Sequence, residues 1–241
     1  MGVPTLTCKC PVCLSDDPRD KRMRTSVWVR TATTSLLIDT PPEMRLQAIA
    51  NDVRRLDAVL FTHSHADHVF GLDDVRRFNF LQRRAMPVYA QAATLDDLRR
   101  VFAYVFTETQ AGGGKPSLDL RVVDGSFRVG DIDVVPVPVL HGSLPILGYR
   151  FGGFAYVTDV SEIAPGSMAI LRGLDVLVLG ALRPKPHPTH FHIARAIEVA
   201  QELAPGQTYF THVTHDVEHE ATNRDLPPGI ELGYDGLTFE V

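Results

Sequence analysis

Leu60-Phe61-Thr62-His63-Ser64-His65-Ala66-Asp67-His68 is the stretch that decides how this chain is read. An apolar run ends in four ligand-type side chains within six residues: His63, His65, Asp67 and His68. Neutral imidazole and carboxylate suit zinc, manganese or iron. In a turn leaving a strand, His63 and His65 can point to one side. Asp67 and His68, at the start of the next helix, can then point to a second position a few ångström away. The motif therefore suggests two metal ions, and a loop that is His-rich by accident does not explain its H-x-H-x-D-H order.

Working outward, three more apolar runs end in metal-competent side chains: Val139-Leu140-His141, Tyr156-Val157-Thr158-Asp159 and Tyr209-Phe210-Thr211-His212. Strands buried between layers are rigid, so ligands at their ends are held with little positional error. In α/β folds, sites gather in the loops at strand ends. Ten candidate strands, from 27–31 to 209–211, alternate with helical stretches, which predicts an α/β layer fold. Two helices are well signalled. Thr94 with Asp97 makes a capping-box-like start, followed by Leu95, Leu98, Val101, Phe102 and Val105 on one face. After Thr189, residues Ile193, Ala196, Ile197, Ala200 and Leu203 keep the same period until Pro205-Gly206.

The 241 residues are 44% apolar and 22% charged, which excludes a disordered tail or a disulfide scaffold and fits one domain, 1–241. Twenty-four basic against 29 acidic residues give a net charge of −5, which argues against a surface built to coat nucleic acid. No apolar run approaches the ~20 residues of a membrane span, and the first residues lack an export pattern. Three cysteines cannot all pair within the chain. A C-x-C-x2-C cluster, Cys8, Cys10 and Cys13, reads more easily as metal ligation in a reducing compartment, so a cytoplasmic location is expected.

T-H-x-H-x-D-H after a strand resembles the signature of the metallo-β-lactamase-fold hydrolases. That resemblance implies an αββα sandwich, two mixed β-sheets flanked by helices, with a dinuclear centre. It also implies the ligand sets: His63, His65, His141 and Asp159 on one cation, and Asp67, His68, Asp159 and His212 on the other. Asp67 is carried as a catalytic residue as well as a ligand. Asp39, closing Leu36-Leu37-Ile38-Asp39, takes the family's position for a carboxylate that orients the metal loop.

The C-x-C-x2-C start with T-H-x-x-H near the end is similar to the narrower PhnP-like cyclic-phosphate phosphodiesterases. In that group such residues hold a structural zinc, here Cys8, Cys10, Cys13 and His215. Four N/S donors form a closed tetrahedral site, as a structural role requires. His190, in Pro188-Thr189-His190-Phe191 at the head of the last long helix, matches an extra active-site histidine. It is assigned to give a proton to the leaving oxygen or a hydrogen bond to phosphate. The resemblance implies hydrolysis of 5-phosphoribosyl 1,2-cyclic phosphate to ribose 1,5-bisphosphate by a hydroxide shared between two divalent cations, Zn or Mn. The partner is then a small-molecule phosphodiester; nucleic acid and membrane are not expected, and a homodimer is one assembly the sequence allows.

Three other readings are weighed. A tRNA-maturing endonuclease of the superfamily carries a protruding arm between the third histidine and the bridging aspartate, and only seventeen residues separate His141 from Asp159. A thioesterase such as glyoxalase II adds a helical domain, and little chain follows His212. A non-catalytic zinc-stabilised module has no need of seven donors around two ions. His187 and His192 are read as surface neighbours of the cleft, and His219 is given no role. Gly112-Gly113-Gly114 reads as a turn. The pairs Arg54-Arg55, Arg76-Arg77, Arg83-Arg84 and Arg99-Arg100 read as solvated faces. Members of the family open with an apolar strand and a Gly-rich turn; Met1-Gly2-Val3-Pro4 sits where that turn ends, so the expectation is a missing first strand or a start further upstream.

Overall fold

The computed structural model describes residues 2–108 and 114–241. Gly112 and Gly113 of the expected turn lie outside the described residues. The chain forms two compact units, Arg24–Val134, and Met1–Met23 with Val135–Val241.

In Arg24–Val134, five strands form one mixed sheet in the order β1-β2-β3-β4-β5: β1 Val27–Arg30, β2 Ser35–Ile38, β3 Ala58–Leu60, β4 Met86–Ala90 and β5 Leu118–Val122. β1 runs antiparallel to β2, and the pairs β2–β3, β3–β4 and β4–β5 are parallel. β2 and β3 are buried along their whole length, which is why they read as unbroken apolar runs. Helix Ala92–Val101 lays Leu95 and Leu98 against Val59, Val88 and Phe61 in one core cluster. Each fully buried leucine of this kind contributes roughly 1.5–3 kcal/mol of transfer free energy.

That helix starts two residues before the expected Thr94. Thr94 lies inside it, buried, and Gln91 is the N-cap residue. Asp97 serves elsewhere, accepting from Ser64 Oγ at 2.6 Å and from Arg100 at 2.7 Å. The apolar spacing was a true signal, but a Thr three residues before an acid marks a cap only where the backbone is extended.

In the other unit the sheet order is β12-β11-β10-β9-β8-β7-β6, where β6 is Phe127–Val129, β7 Ile132–His141, β8 Leu144–Phe151, β9 Phe154–Val157, β10 Val176–Gly180, β11 Gln207–Thr211 and β12 Ile230–Leu232. β6 belongs to the Arg24–Val134 stretch and pairs with the first residues of β7. β7, β8 and β9 form antiparallel hairpins, while β9, β10, β11 and β12 are parallel. β6 and β12 have three residues each, too short to show alternation, and were not expected from the sequence. Helix Ile193–Leu203 packs Ala196, Val199, Ala200 and Leu203 into the cluster containing Leu177, Leu179 and Phe210. It ends at Ala204, whose φ of 47° is left-handed, one residue before the expected Pro205-Gly206 stop. Two mixed sheets with helices packed on them are the elements expected for the fold.

Candidate metal centre

Three of the strand-end residues are strained: Asp39, Asp159 and His212 have φ of 61°, 52° and 58°. Non-glycine residues enter the left-handed region at a cost of order 1 kcal/mol and cluster at functional sites. Each follows a strand, fully buried for Asp39 and Asp159 and alternately buried for His212, so the chain turns sharply there and presents the side chain at the strand's end. Gly180, ending β10, makes room for one of these turns: a Cβ there would meet the Asp159 backbone nitrogen at 3.0 Å.

Within Arg24–Val134, the turn after β3 carries His63, His65, Asp67 and His68. His63 and His68 are buried, Asp67 is half-buried and His65 is exposed. Asp39 is fully buried and organises the turn. Its Oδ1 accepts from the Thr62 amide at 2.8 Å, and its Oδ2 accepts from Thr62 Oγ1 at 2.8 Å and from His68 Nδ1 at 2.7 Å. Burial pushes the Asp39 carboxyl above its usual range, and His68 and Thr62 pull it back. Thr62 was not singled out in the sequence, although it sits inside the decisive stretch. Its hydroxyl proton goes to Asp39, so its oxygen accepts from His63 Nδ1 at 2.9 Å. With Asp39 as the acceptor, His63 and His68 carry their protons on Nδ1, so Nε2 is the atom each could offer a cation.

The donor spacing fits cations. His63 Nε2 lies 3.0 Å from His65 Nδ1, and the His63 and His68 ring centroids are 4.3 Å apart. His68 Nε2 lies 4.0 Å from Asp67 Oδ2. Two donors about 2.0–2.1 Å from one zinc sit about 3.4 Å apart in tetrahedral geometry and at most about 4.2 Å apart. Two imidazole acceptors this close repel unless a proton or a cation lies between them.

In the other unit, His141 ends β7 and points its Nδ1 at the Thr189 carbonyl, 2.7 Å away, again leaving Nε2 as the ligand atom. Gly142, with φ of 62°, lets the chain turn directly after it; a Cβ there would meet Thr189 Cγ2 at 2.8 Å. Asp159 is buried and accepts from Thr158 Oγ1 at 2.6 Å. Its Oδ1 lies 3.5 Å from His212 Nε2, and its Oδ2 lies 4.0 Å from His190 Nδ1. Donor atoms of Asp159, His190 and His212 lie within 4.8 Å of one another.

His190 is not at a helix head, as the sequence suggested. It sits in the bend before Ile193–Leu203, and His192 is the N-cap residue. The bend stacks its ring on His212 at 5.2 Å and sets it edge-on to His141 at 4.4 Å and to His187 at 5.1 Å. Burial, with His212, His141 and His187 nearby, lowers the His190 imidazole to about 3 against the pull of Asp159. His187 Nδ1 accepts from the Thr189 amide at 3.3 Å, so His187 belongs to the same bend.

The cysteine cluster lies wholly within this unit. Cys8 Sγ and Cys10 Sγ are 3.2 and 3.4 Å from His215 Nδ1, and the donors of Cys8, Cys10, Cys13 and His215 all lie within 4.8 Å. Zn–S of about 2.3 Å and Zn–N of about 2.0 Å place tetrahedral S and N donors about 3.5 Å apart. Backbone N–H groups point at the sulfurs: Cys10 to Cys8 at 3.5 Å, Cys13 to Cys10 at 3.4 Å and Thr5 to Cys13 at 3.3 Å. The Cys13 amide, followed by His215, lowers the Cys10 thiol to about 6. Such a thiolate is a ready ligand.

His219, given no role from the sequence, is buried beside a second network. Its amide donates to Asp20 Oδ1 at 2.9 Å, Arg22 pairs with the same oxygen at 3.0 Å, and Arg22 Nη1 donates to the Thr214 carbonyl at 3.4 Å. The loop bearing His212 and His215 is thus tied down by Arg22 as well as by the cysteines. No sequence signal distinguished these charges from surface ones.

Residues 34–213 match the family model for the beta-lactamase superfamily domain. A crystal structure described as a new diphosphatase from the PhnP family is 45% identical, superposes with a TM-score of 0.92, and covers 98% of this chain and 91% of that one. An octanoyltransferase of Porphyromonas gingivalis is 41% identical over 241 residues, 98% of this chain but 48% of that protein, so the chain spans about half the length of this relative. A ribonuclease Z of Methanopyrus kandleri is 25% identical over 93% of this chain and 94% of that protein. Among the described residues, no helix is long and apolar enough to cross a membrane. With its histidine turn, strand-end histidines and aspartate, and cysteine cluster, the chain belongs to the metallo-β-lactamase-fold hydrolases, close to the PhnP family.

Proposed function

We propose that the chain hydrolyses a phosphodiester or phosphoric anhydride bond of a small molecule, with two divalent cations, Zn or Mn, as cofactors. The observation that carries this reading is the 45% identity, over nearly the whole chain, to a PhnP-family diphosphatase. The ligand assignment follows the family: His63, His65, His141 and Asp159 for one cation, Asp67, His68, Asp159 and His212 for the other. Cys8, Cys10, Cys13 and His215 hold a third, structural zinc.

Divalent cations held by these residues would lower the pKa of a coordinated water towards ~7 and offset negative charge on the phosphoryl oxygens. Asp39, through Thr62 and directly, keeps His63 and His68 in the tautomer that ligates. Thr189 does the same for His141. His190, neutral at its lowered pKa, donates a hydrogen bond to a phosphoryl or leaving oxygen. The finer proposal is a cyclic phosphate such as 5-phosphoribosyl 1,2-cyclic phosphate, opened to ribose 1,5-bisphosphate.

Two relatives favour other substrates, and both are testable. The ribonuclease Z likeness points to RNA. Here residues 142–158 are taken up by β8 and β9, and they hold no protruding arm to clasp a tRNA. The octanoyltransferase name belongs to a protein about twice as long; it points to an octanoyl compound as an alternative substrate. The deciding experiment is metal analysis of the purified protein with a screen of bis(p-nitrophenyl) phosphate, cyclic phosphodiesters, diphosphates, a pre-tRNA and an octanoyl thioester. Turnover of cyclic phosphates or diphosphates is expected. Turnover of the thioester or the RNA alone, by fully loaded protein, replaces this reading.

A further inference from the structure

β3 carries the histidine turn at its C-terminal end. Asp57, just before its other end, lines a groove of about 580 Å³ formed entirely by residues of Arg24–Val134. At about 3.3 Å of rise per residue, Asp57 lies roughly 20 Å along the chain from His63. The groove is lined by four arginines, Arg55, Arg84, Arg121 and Arg128, and by two carboxylates, Asp57 and Asp131. Its lining is therefore positive in a chain whose net charge is −5.

Asp57 is nearly buried. Its Oδ2 accepts from the Ser35 amide at 3.0 Å, and its Oδ1 accepts from Arg55 Nε and Nη2 at 3.1 and 2.8 Å and also from Arg84. A single carboxylate oxygen thus holds two guanidinium groups side by side, with one positive charge in excess. Both arginines are exposed, at 58% and 45%, as the sequence suggested, and each is also held by the buried Asp57. Arg121 lies over the Tyr89 ring, 5.3 Å from its centroid, and donates to its hydroxyl at 2.6 Å. The remaining ion pairs, Arg121 with Asp119 and Arg128 with Asp133, are exposed and weak, so an incoming dianion can replace them. Asp131 is held by the Thr34 and Thr31 hydroxyls and lowered to about 2, so it stays charged. Planar guanidinium forks bind phosphate oxygens in pairs, which a point charge does not.

We propose that this groove is a second anion site, distinct from the metal-ligand turn, which takes a phosphate group borne by a small ligand. The site is independent of the proposed reaction, and its test does not need turnover. Inorganic pyrophosphate is titrated calorimetrically into chelator-treated protein, in which the metal centre cannot contribute. Binding with one site per chain is expected. Arg55→Gln and Arg128→Gln each weaken it by about tenfold, the loss expected for a charge-assisted hydrogen bond. Asp57 keeps Arg84 in the first variant, and the second touches no buried group, so both variants should fold and retain wild-type turnover of bis(p-nitrophenyl) phosphate. The proposal is overturned if chelator-treated wild-type protein binds no pyrophosphate, or if neither substitution weakens it.

Discussion

Asp39→Asn tests how the histidine turn is prepared for metal. Asp39 accepts three hydrogen bonds and donates none. An asparagine must place a donor on one side. If its amide nitrogen faces Thr62 Oγ1 and His68, the Thr62 hydroxyl reverses to donate to His63 Nδ1, and His68 Nδ1 must become the acceptor. Both histidines then carry their protons on Nε2, the atom each needs for the cation. If the amide turns the other way, its nitrogen opposes the buried Thr62 N–H, leaving that donor unsatisfied at a cost of about 1–3 kcal/mol. Removing the partner of one ligating histidine costs 10–100-fold in metal affinity. One carboxylate serving two ligands should reach the upper end, about 100-fold or ~2.7 kcal/mol. The assay is competition for zinc against a chromophoric chelator, with circular dichroism confirming the fold. Thr62→Val, which breaks only the His63 relay, should cost less, about tenfold. Folded Asp39→Asn protein with wild-type zinc affinity refutes the tautomer argument.

Four further outcomes are expected. His190→Ala should lower the turnover rate by about 10²-fold or more while metal content, read by mass spectrometry, stays normal; loss of metal would reassign His190 as a ligand. In metal-free protein, Cys10 should be alkylated with a midpoint near pH 6, because its lowered pKa makes thiolate present above about 6 and lost as pH falls through it. Zinc affinity at the cysteine cluster should therefore weaken as pH falls through about 6, and an alkylation midpoint above 8 contradicts the arrangement. Arg22→Ala takes away the buried ion-pair partner of Asp20, and should destabilise the fold by about 3–5 kcal/mol in urea titrations; a change under 1 kcal/mol removes Arg22 as an anchor of the His212 loop. Gly142→Ala meets both a left-handed φ and the Thr189 side chain, so it should lower stability by about 1–2 kcal/mol and weaken metal binding through His141.

What the sequence makes legible follows from what is local. The junctions where strands run into His63, His141, Asp159 and His212 are local patterns, and the strands before them stand where expected. The buried carboxylate relay is half legible, since Asp39 is placed by its strand but its use of Thr62 depends on a tertiary approach. The head of Ala92–Val101 is not legible because Thr94 has the composition of a cap without the backbone of one. Pro188-Thr189 has the composition of a helix start, which sets His190 at the helix head, whereas the chain bends there and the helix begins at Ile193. The Asp20–Arg22–His219 network and the arginines around Asp57 were illegible: nothing in a single charged residue tells whether its partner is buried.

The most direct test of the central claim is metal depletion and reconstitution. Chelator-stripped protein should lose hydrolysis of bis(p-nitrophenyl) phosphate and regain it with zinc or manganese, binding up to three ions per chain, the tightest at the cysteine cluster. Hydrolysis that persists in fully stripped protein, or that never appears in fully loaded protein with any phosphodiester or diphosphate, contradicts the account.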